Sequence, residues 1–173
     1  MEYRVIWVKR KFVFDLPPEM FPIVVDRLRG TPARLEEKTL SLSKEILTRN
    51  EGDSWSIQEI AGHLHDAEQL WHGRIDDFRA GEKEFRPADV TGRITIKANH
   101  NSADIKNLLV EFRKSRLRLV DRFAEMTEDE VSQAAYHRRL DVNMRVIDLA
   151  LFIAEHDDHH LAKITDMIEN YSK

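Results

Sequence analysis

The 173-residue chain contains no cysteine. That excludes disulfides, a cysteine nucleophile and thiolate metal ligands. Any metal site must therefore be built from His, Asp or Glu. No apolar run approaches the roughly 20 residues of a membrane span, and no apolar stretch of signal-peptide type follows Met1-Glu2-Tyr3-Arg4. The expectation is a cytoplasmic protein that is not embedded in a membrane. An excess of basic charge is missing too: 27 Lys and Arg face 31 Asp and Glu, for a formal net charge of -4. Nothing in that balance points to a nucleic-acid surface. Internal repeats and low-complexity segments are likewise absent.

What is present is the composition of a helix-rich globular protein, 42% hydrophobic and 34% charged, long enough for one domain with its own core. The most informative stretch is Glu155-His156-Asp157-Asp158-His159-His160-Leu161. It lies in an apolar-periodic run from Val146 to Ile168 that holds neither Pro nor Gly, which predicts a helix. At about 100° per residue, His156 and His160 stand one above the other on one face. Two imidazoles so placed can grip one metal ion. On the helical wheel His160 flanks the apolar stripe, His156 sits at its polar edge and His159 points to solvent. Asp157 falls near the middle of the apolar face, so it needs an Arg partner or a histidine N–H to hold. Surface histidines on a soluble helix remain the alternative.

In chain order, residues 3–14 mix β-branched and aromatic residues with Lys9, Arg10 and Lys11. They read as a short strand, hairpin or extended arm that leans on the main body or on a second subunit. The arm is taken as 1–16 and a helical bundle as 17–173, together one domain. Phe21, Val24, Val25 and Leu28 give a first helical stripe. Gly30 is expected to break it, and Thr31-Pro32 to restart it as N-cap and first helical residue. Four substantial helices result: Pro32–Asn50, Ser56–Ala80, Ala103–Glu125 and Arg145–Asn170. Ser56 and Glu59 form a capping box, as do Thr127 and Glu130 ahead of a short helix to about Ala134. Asn101 or Ser102 is expected to cap the third helix. The polar connection from Glu82 to Asn101 is too long for a tight turn, so it crosses the bundle or pairs with the arm. Residues 136–143 read as an irregular basic connection. The fold class is all-α, a four-helix bundle with a long crossover.

The second helix carries Glu68 within its apolar stripe, a second candidate buried acid. His63 lies on one flank of that stripe and His65 on the other, with His72 near His65. The wheel does not choose between the flanks. Trp55 and Trp71 read as core. His100 lies at the mouth of the bundle or in a helix-capping loop, and His137 reads as surface. The cluster His137-Arg138-Arg139 with Arg145 is either a solvated loop or an attractor for an anionic substrate.

Three segments carry a family resemblance. Trp55-Ser56-Ile57-Gln58-Glu59-Ile60-Ala61-Gly62-His63-Leu64 resembles the second-helix signature of the DinB superfamily, which includes YfiT-like metal-dependent hydrolases. Ala154-Glu155-His156-Asp157-Asp158-His159-His160-Leu161-Ala162-Lys163-Ile164 resembles its last-helix signature. Leu28-Arg29-Gly30-Thr31-Pro32-Ala33-Arg34-Leu35 is similar to a stretch common in many members. The resemblance implies a four-helix bundle with a crossover, often a homodimer. It also implies a divalent metal, zinc or nickel in many members, held by His63, His156 and His160. Some members carry an Asn-His pair like Asn99-His100.

Three imidazoles with an open position are the arrangement of a catalytic metal. The resemblance thus implies a metal-dependent hydrolase, or a transferase using a low-molecular-weight thiol on a small-molecule substrate. A non-catalytic, stress-related metal-binding or interaction module is the alternative. No general base is evident. Asp157, Asp158, Glu68, His65 and His100 are the candidates around the metal or substrate, and each has a plainer structural reading.

Overall fold

Four long helices carry the 3.6-residue apolar periodicity of the sequence and bury it against one another. The computed structural model describes residues 6–52 and 54–171. Helix α1 spans Phe21–Thr39, α2 Lys44–Thr48, α3 Ile57–Arg79, α4 Arg93–Ala98, α5 Ile105–Ala124, α6 Glu128–Ser132 and α7 Val146–Tyr171. A hairpin of β1 (Ala134–His137) and β2 (Val142–Arg145), antiparallel with Ala135 opposite Met144, precedes α7. The bundle proper is α1, α3, α5 and α7. Helix α1 packs mainly on α5 and α7, and α3 on the same two. So α1 and α3 stand diagonally, as do α5 and α7.

The core has two apolar clusters. One contains Leu28, Trp71, Leu119 and Ala154. The other contains Leu35, Leu64, Phe112 and Leu161. A polar layer lies between them, one residue from each helix: Thr31, Glu68, Arg116 and Asp157. Each is flanked three or four residues away by apolar residues of both clusters, so all four enter at one level. Arg116 is wholly buried. It donates to Glu68 Oε1 through Nε at 3.0 Å and Nη2 at 2.6 Å, and to both oxygens of Asp157. Thr31 donates its hydroxyl to Asp157 at 2.7 Å. The Arg partner that Asp157 required is Arg116.

Several local expectations give way. Helix α1 runs unbroken through Gly30 and Pro32. Leu28, Thr31, Pro32 and Leu35 are all buried, and one continuous stripe seats them together. That packing outweighs the missing Pro32 N–H and the local stop signals. The first long helix accordingly begins at Phe21, and residues toward Asn50 form the separate α2. Asp104, not Asn101 or Ser102, caps α5, accepting from the Asn107 amide at 3.0 Å. The connection from Glu82 holds α4, and its pairing is with β1: Phe85 N donates to Tyr136 O at 3.1 Å, and Tyr136 N to Lys83 O at 2.8 Å. The segment read as an irregular basic connection is the hairpin turn and its strands. Both capping boxes form.

The arm forms neither strand nor hairpin among the described residues. A 3-10 turn at Trp7–Lys9 is followed by extended chain. Trp7, Phe12, Phe14 and Leu16 pack on the first apolar cluster of their own bundle. Tyr3, Arg4 and Val5, which belong to the expected arm, lie outside the described residues, as does Asp53 of the loop before α3.

Candidate metal centre

Helices α3 and α7 pack side by side, and each aims histidines at the other. His63, on the second turn of α3, meets His156 and His160 on consecutive turns of α7. One ligand nitrogen from each lies within 4.8 Å of the other two. His63 Nε2 is 3.2 Å from His156 Nε2. Two nitrogens bound tetrahedrally at roughly 2.0–2.1 Å from one zinc stand about 3.3 Å apart, so this spacing fits a metal-binding pair.

Protonation fits as well. Burial pushes His63 down to about 4, against the pull of Asp66. Burial, reinforced by the neighbouring histidines, holds His156 and His160 well below their ordinary value. All three are neutral at pH 7, the form that gives a lone pair to a cation. The Nδ1 atoms of His156 and His160 are buried with no hydrogen-bond partner among the described residues.

The orientation of His63 is set by a relay. The Thr95 hydroxyl donates to Asp66 Oδ2 at 3.0 Å, so its oxygen is left to accept from His63 Nδ1 at 3.2 Å. That puts the His63 proton on Nδ1 and leaves Nε2 bare toward His156. His100 Nε2 lies 2.9 Å from the same Asp66 oxygen. Burial works against the Asp66 charge, but these hydrogen bonds hold its pKa below the usual carboxylate range. Glycine at position 62 makes room for the arrangement: a Cβ there would overlap the His100 ring. Neither Asp66 nor Thr95 was singled out from the sequence. A signal existed for Asp66, which follows His63 by one turn on the same helical face.

The other sequence candidates are placed as follows. Asp157 and Glu68 are bound to Arg116 in the polar layer. Asp158 pairs with Arg27 and Arg34, and Glu155 with Arg10 and Arg27. Every acid in the histidine stretch of α7 thus has an arginine partner. His65 lies on the other flank of α3, outside the cavity that the three histidines share, and His72 contacts Ser115 and Arg122. His100 is buried on Asp66 rather than exposed in a capping loop. His159 does not face solvent. It is buried, 5.5 Å from the Trp7 ring, because the arm lies where the wheel placed water. Burial drives it down to about 4. His137 is not at the surface either. It is buried, 5.6 Å from the Phe152 ring, and burial with nearby Arg74 brings it down to about 4.

A cavity of about 430 Å³ opens beside the cluster and is lined by His63, His156 and His160. Three indoles surround the histidines. Trp55 lies 4.8 Å from His63, and Trp7 and Trp71 lie 5.2 Å and 5.5 Å from His156. Trp71 is buried in the core and Trp55 is half-buried, and both line the cavity.

The DinB superfamily model matches residues 27–164, so the chain belongs to the DinB superfamily. The structure is similar to that of YfiT from Bacillus subtilis, described as a probable metal-dependent hydrolase with an unusual four-helix bundle topology. The TM-score is 0.81 at 20% sequence identity, over 94% of each chain. No functionally curated protein matches the chain.

Proposed function

We propose, with membership of the DinB superfamily as the premise, that this protein is a metal-dependent enzyme. It uses His63, His156 and His160 to hold one divalent cation, zinc or nickel. The observation that carries this reading is the cluster itself: three neutral imidazoles, one nitrogen from each within 4.8 Å of the others, opening on a cavity of about 430 Å³. That volume lies in the range of small-molecule sites, about 300–1,000 Å³, and favours an enzyme over a bare metal store. The description of YfiT as a probable metal-dependent hydrolase agrees with it.

Bound there, the cation supplies Lewis acidity, which lowers the pKa of a water or thiol nucleophile and polarises a substrate oxygen. The reaction class is nucleophilic transfer: hydrolysis, or transfer to a low-molecular-weight thiol. The chain's own residues do the rest. The Asp66–Thr95 relay fixes the tautomer and ring orientation of His63. Trp7, Trp55 and Trp71 keep bulk water from the histidines. No acid of the histidine stretch on α7 is free to act as a base, because each is paired with an arginine.

The test is elemental analysis of tag-free protein beside the His156→Ala, His160→Ala double variant. About one equivalent of zinc or nickel in the wild type, lost in the variant, is the expected result. No metal after incubation with excess of both ions overturns the reading. Metal without turnover across thiols, electrophiles and esters overturns the enzymatic part alone.

A further inference from the structure

Arginines line the same cavity as the three histidines. Arg74 on α3, three turns beyond His63, is 2% exposed and lines the cavity. Its Nε and Nη1 are buried with no hydrogen-bond partner among the described residues, and its Nη2 has only a long contact of 3.5 Å to the Arg86 carbonyl. Among the described residues no carboxylate pairs with it. The nearby acid, Asp77, is occupied by Arg86, which donates to it through Nε at 3.0 Å and Nη2 at 2.6 Å. A buried guanidinium without an acid is costly. Here stacking on Trp71 at 5.5 Å and Phe85 at 5.3 Å, with the nearby charge of Asp77, offsets part of that cost.

Two further donors line the cavity and lie near Arg74. Arg139 lines it and forms no ion pair among the described residues. Its neighbours in the basic cluster are spent elsewhere, Arg138 on Glu84 and Arg145 on Asp148. His137 accepts the Leu140 amide at Nδ1, 3.3 Å away, so the neutral ring carries its proton on Nε2. The carboxylates that line the cavity, Asp66 and Asp89, act on His63. Trp71 is near both groups: its ring lies 5.5 Å from the Arg74 guanidinium and 5.5 Å from the His156 ring.

We infer that Arg74, with Arg139 and His137, forms an anion-binding subsite, and that the substrate docks a carboxylate or phosphoryl group there while its reacting centre faces the three histidines. This deepens the proposed function and rests on it for the second half of the statement. The subsite itself does not require the metal. A guanidinium whose Nε and Nη1 have no protein acceptor among the described residues is suited to donate to an oxyanion. Three neutral imidazoles leave the charge of a divalent ion unbalanced, so an anionic substrate also neutralises the cavity as a whole.

The experiment is calorimetric titration of the full chain, metal-free and zinc-loaded, with benzoate, phenyl phosphate and the neutral control benzamide. Metal content is measured in every sample. The metal-free titration matters because no cation is there to hold the anion. The expected result is binding of benzoate or phenyl phosphate but not benzamide, weakened at least about tenfold in Arg74→Met with metal content unchanged. The tighter of the two probes identifies the group as carboxylate or phosphoryl. Equal binding by Arg74→Met, equal binding of benzamide, or no binding of either anion overturns the inference. If Arg74→Met loses its helical circular dichroism, Arg139→Gln, altered at an exposed residue, carries the test with the same criteria. Stoichiometric metal without anion binding refutes the subsite and leaves the metal reading standing. Arg74-dependent anion binding in a protein that takes up neither zinc nor nickel does the reverse.

Discussion

Arg116 and Asp157 come from diagonally opposed helices and meet in a two-pronged ion pair from which solvent is wholly excluded. Glu68 shares the same guanidinium, and burial raises it to about 7 despite Arg116. The layer they form with Thr31 fixes how α5 and α7 stand relative to each other, and α7 carries two of the three clustered histidines.

Arg116→Met is expected to strand two buried carboxylates and cost about 3–5 kcal/mol of stability. Denaturant unfolding checks this. Combining Arg116→Met with Glu68→Gln and Asp157→Asn should recover part of the loss, because the charges left without a partner are removed together. A triple variant no more stable than Arg116→Met would show that the layer acts by packing rather than charge.

Thr95→Val keeps the shape of the side chain and removes the oxygen that receives His63 Nδ1–H. Loss of such a support to a ligand histidine weakens metal binding about 10–100-fold. Competition with a chromophoric chelator measures this, and Asp66→Asn should behave alike. Unchanged affinity in both would remove the relay from the account of the site.

Two of the three helical glycines, at 30 and 62, should respond in opposite directions to the same substitution. Nothing lies within 4 Å of a Cβ at Gly30, so Gly30→Ala is expected to stabilise by about 0.5–1 kcal/mol through helix propensity. At Gly62 the new methyl meets the His100 ring, and Gly62→Ala is expected to destabilise by about 1–3 kcal/mol. Parallel thermal unfolding of both variants decides the point.

Acid should weaken the metal-free protein. Burial lowers His63 and His159 to about 4, and His156 and His160 further below their ordinary value. In the unfolded chain these groups titrate near 6.5. Between those values the unfolded state binds more protons, so stability is lost as pH falls from about 6.5 toward 4. The expected slope is about 1 kcal/mol per pH unit for each fully buried histidine. Urea midpoints across this window measure it, and a His63→Gln, His156→Gln, His160→Gln variant should show a flatter profile.

The helical faces were legible in the sequence because burial imposes a 3.6-residue period on Leu28, Leu35, Ile57, Leu64, Phe112, Leu119 and Leu161. Glu68 and Asp157 were legible as buried acids for the same reason: each interrupts an apolar stripe. The choice of His63 over His65 was not, since a wheel shows two flanks and no neighbour. It came from the family resemblance. His159 was misread because its cover, Trp7, lies about 150 residues away in sequence, and no local pattern reports such a contact. Gly30 and Pro32 misled in the other direction. Their local break signal is real, but the stripe on either side outweighs it. Arg74 was not singled out from the sequence. Its lack of an acid emerges only once α3 and the hairpin are brought together.

His63 and His156 are separated by 93 positions in sequence and by 3.2 Å in space. An ion gripping both would tie the second helix of the bundle to the last. It would close a loop of the length for which chain-entropy arguments give a cross-link its largest effect, about 4–5 kcal/mol. In a chain without a single thiol, that fastening would be indifferent to oxidants and reductants. Acid and chelators alone would undo it.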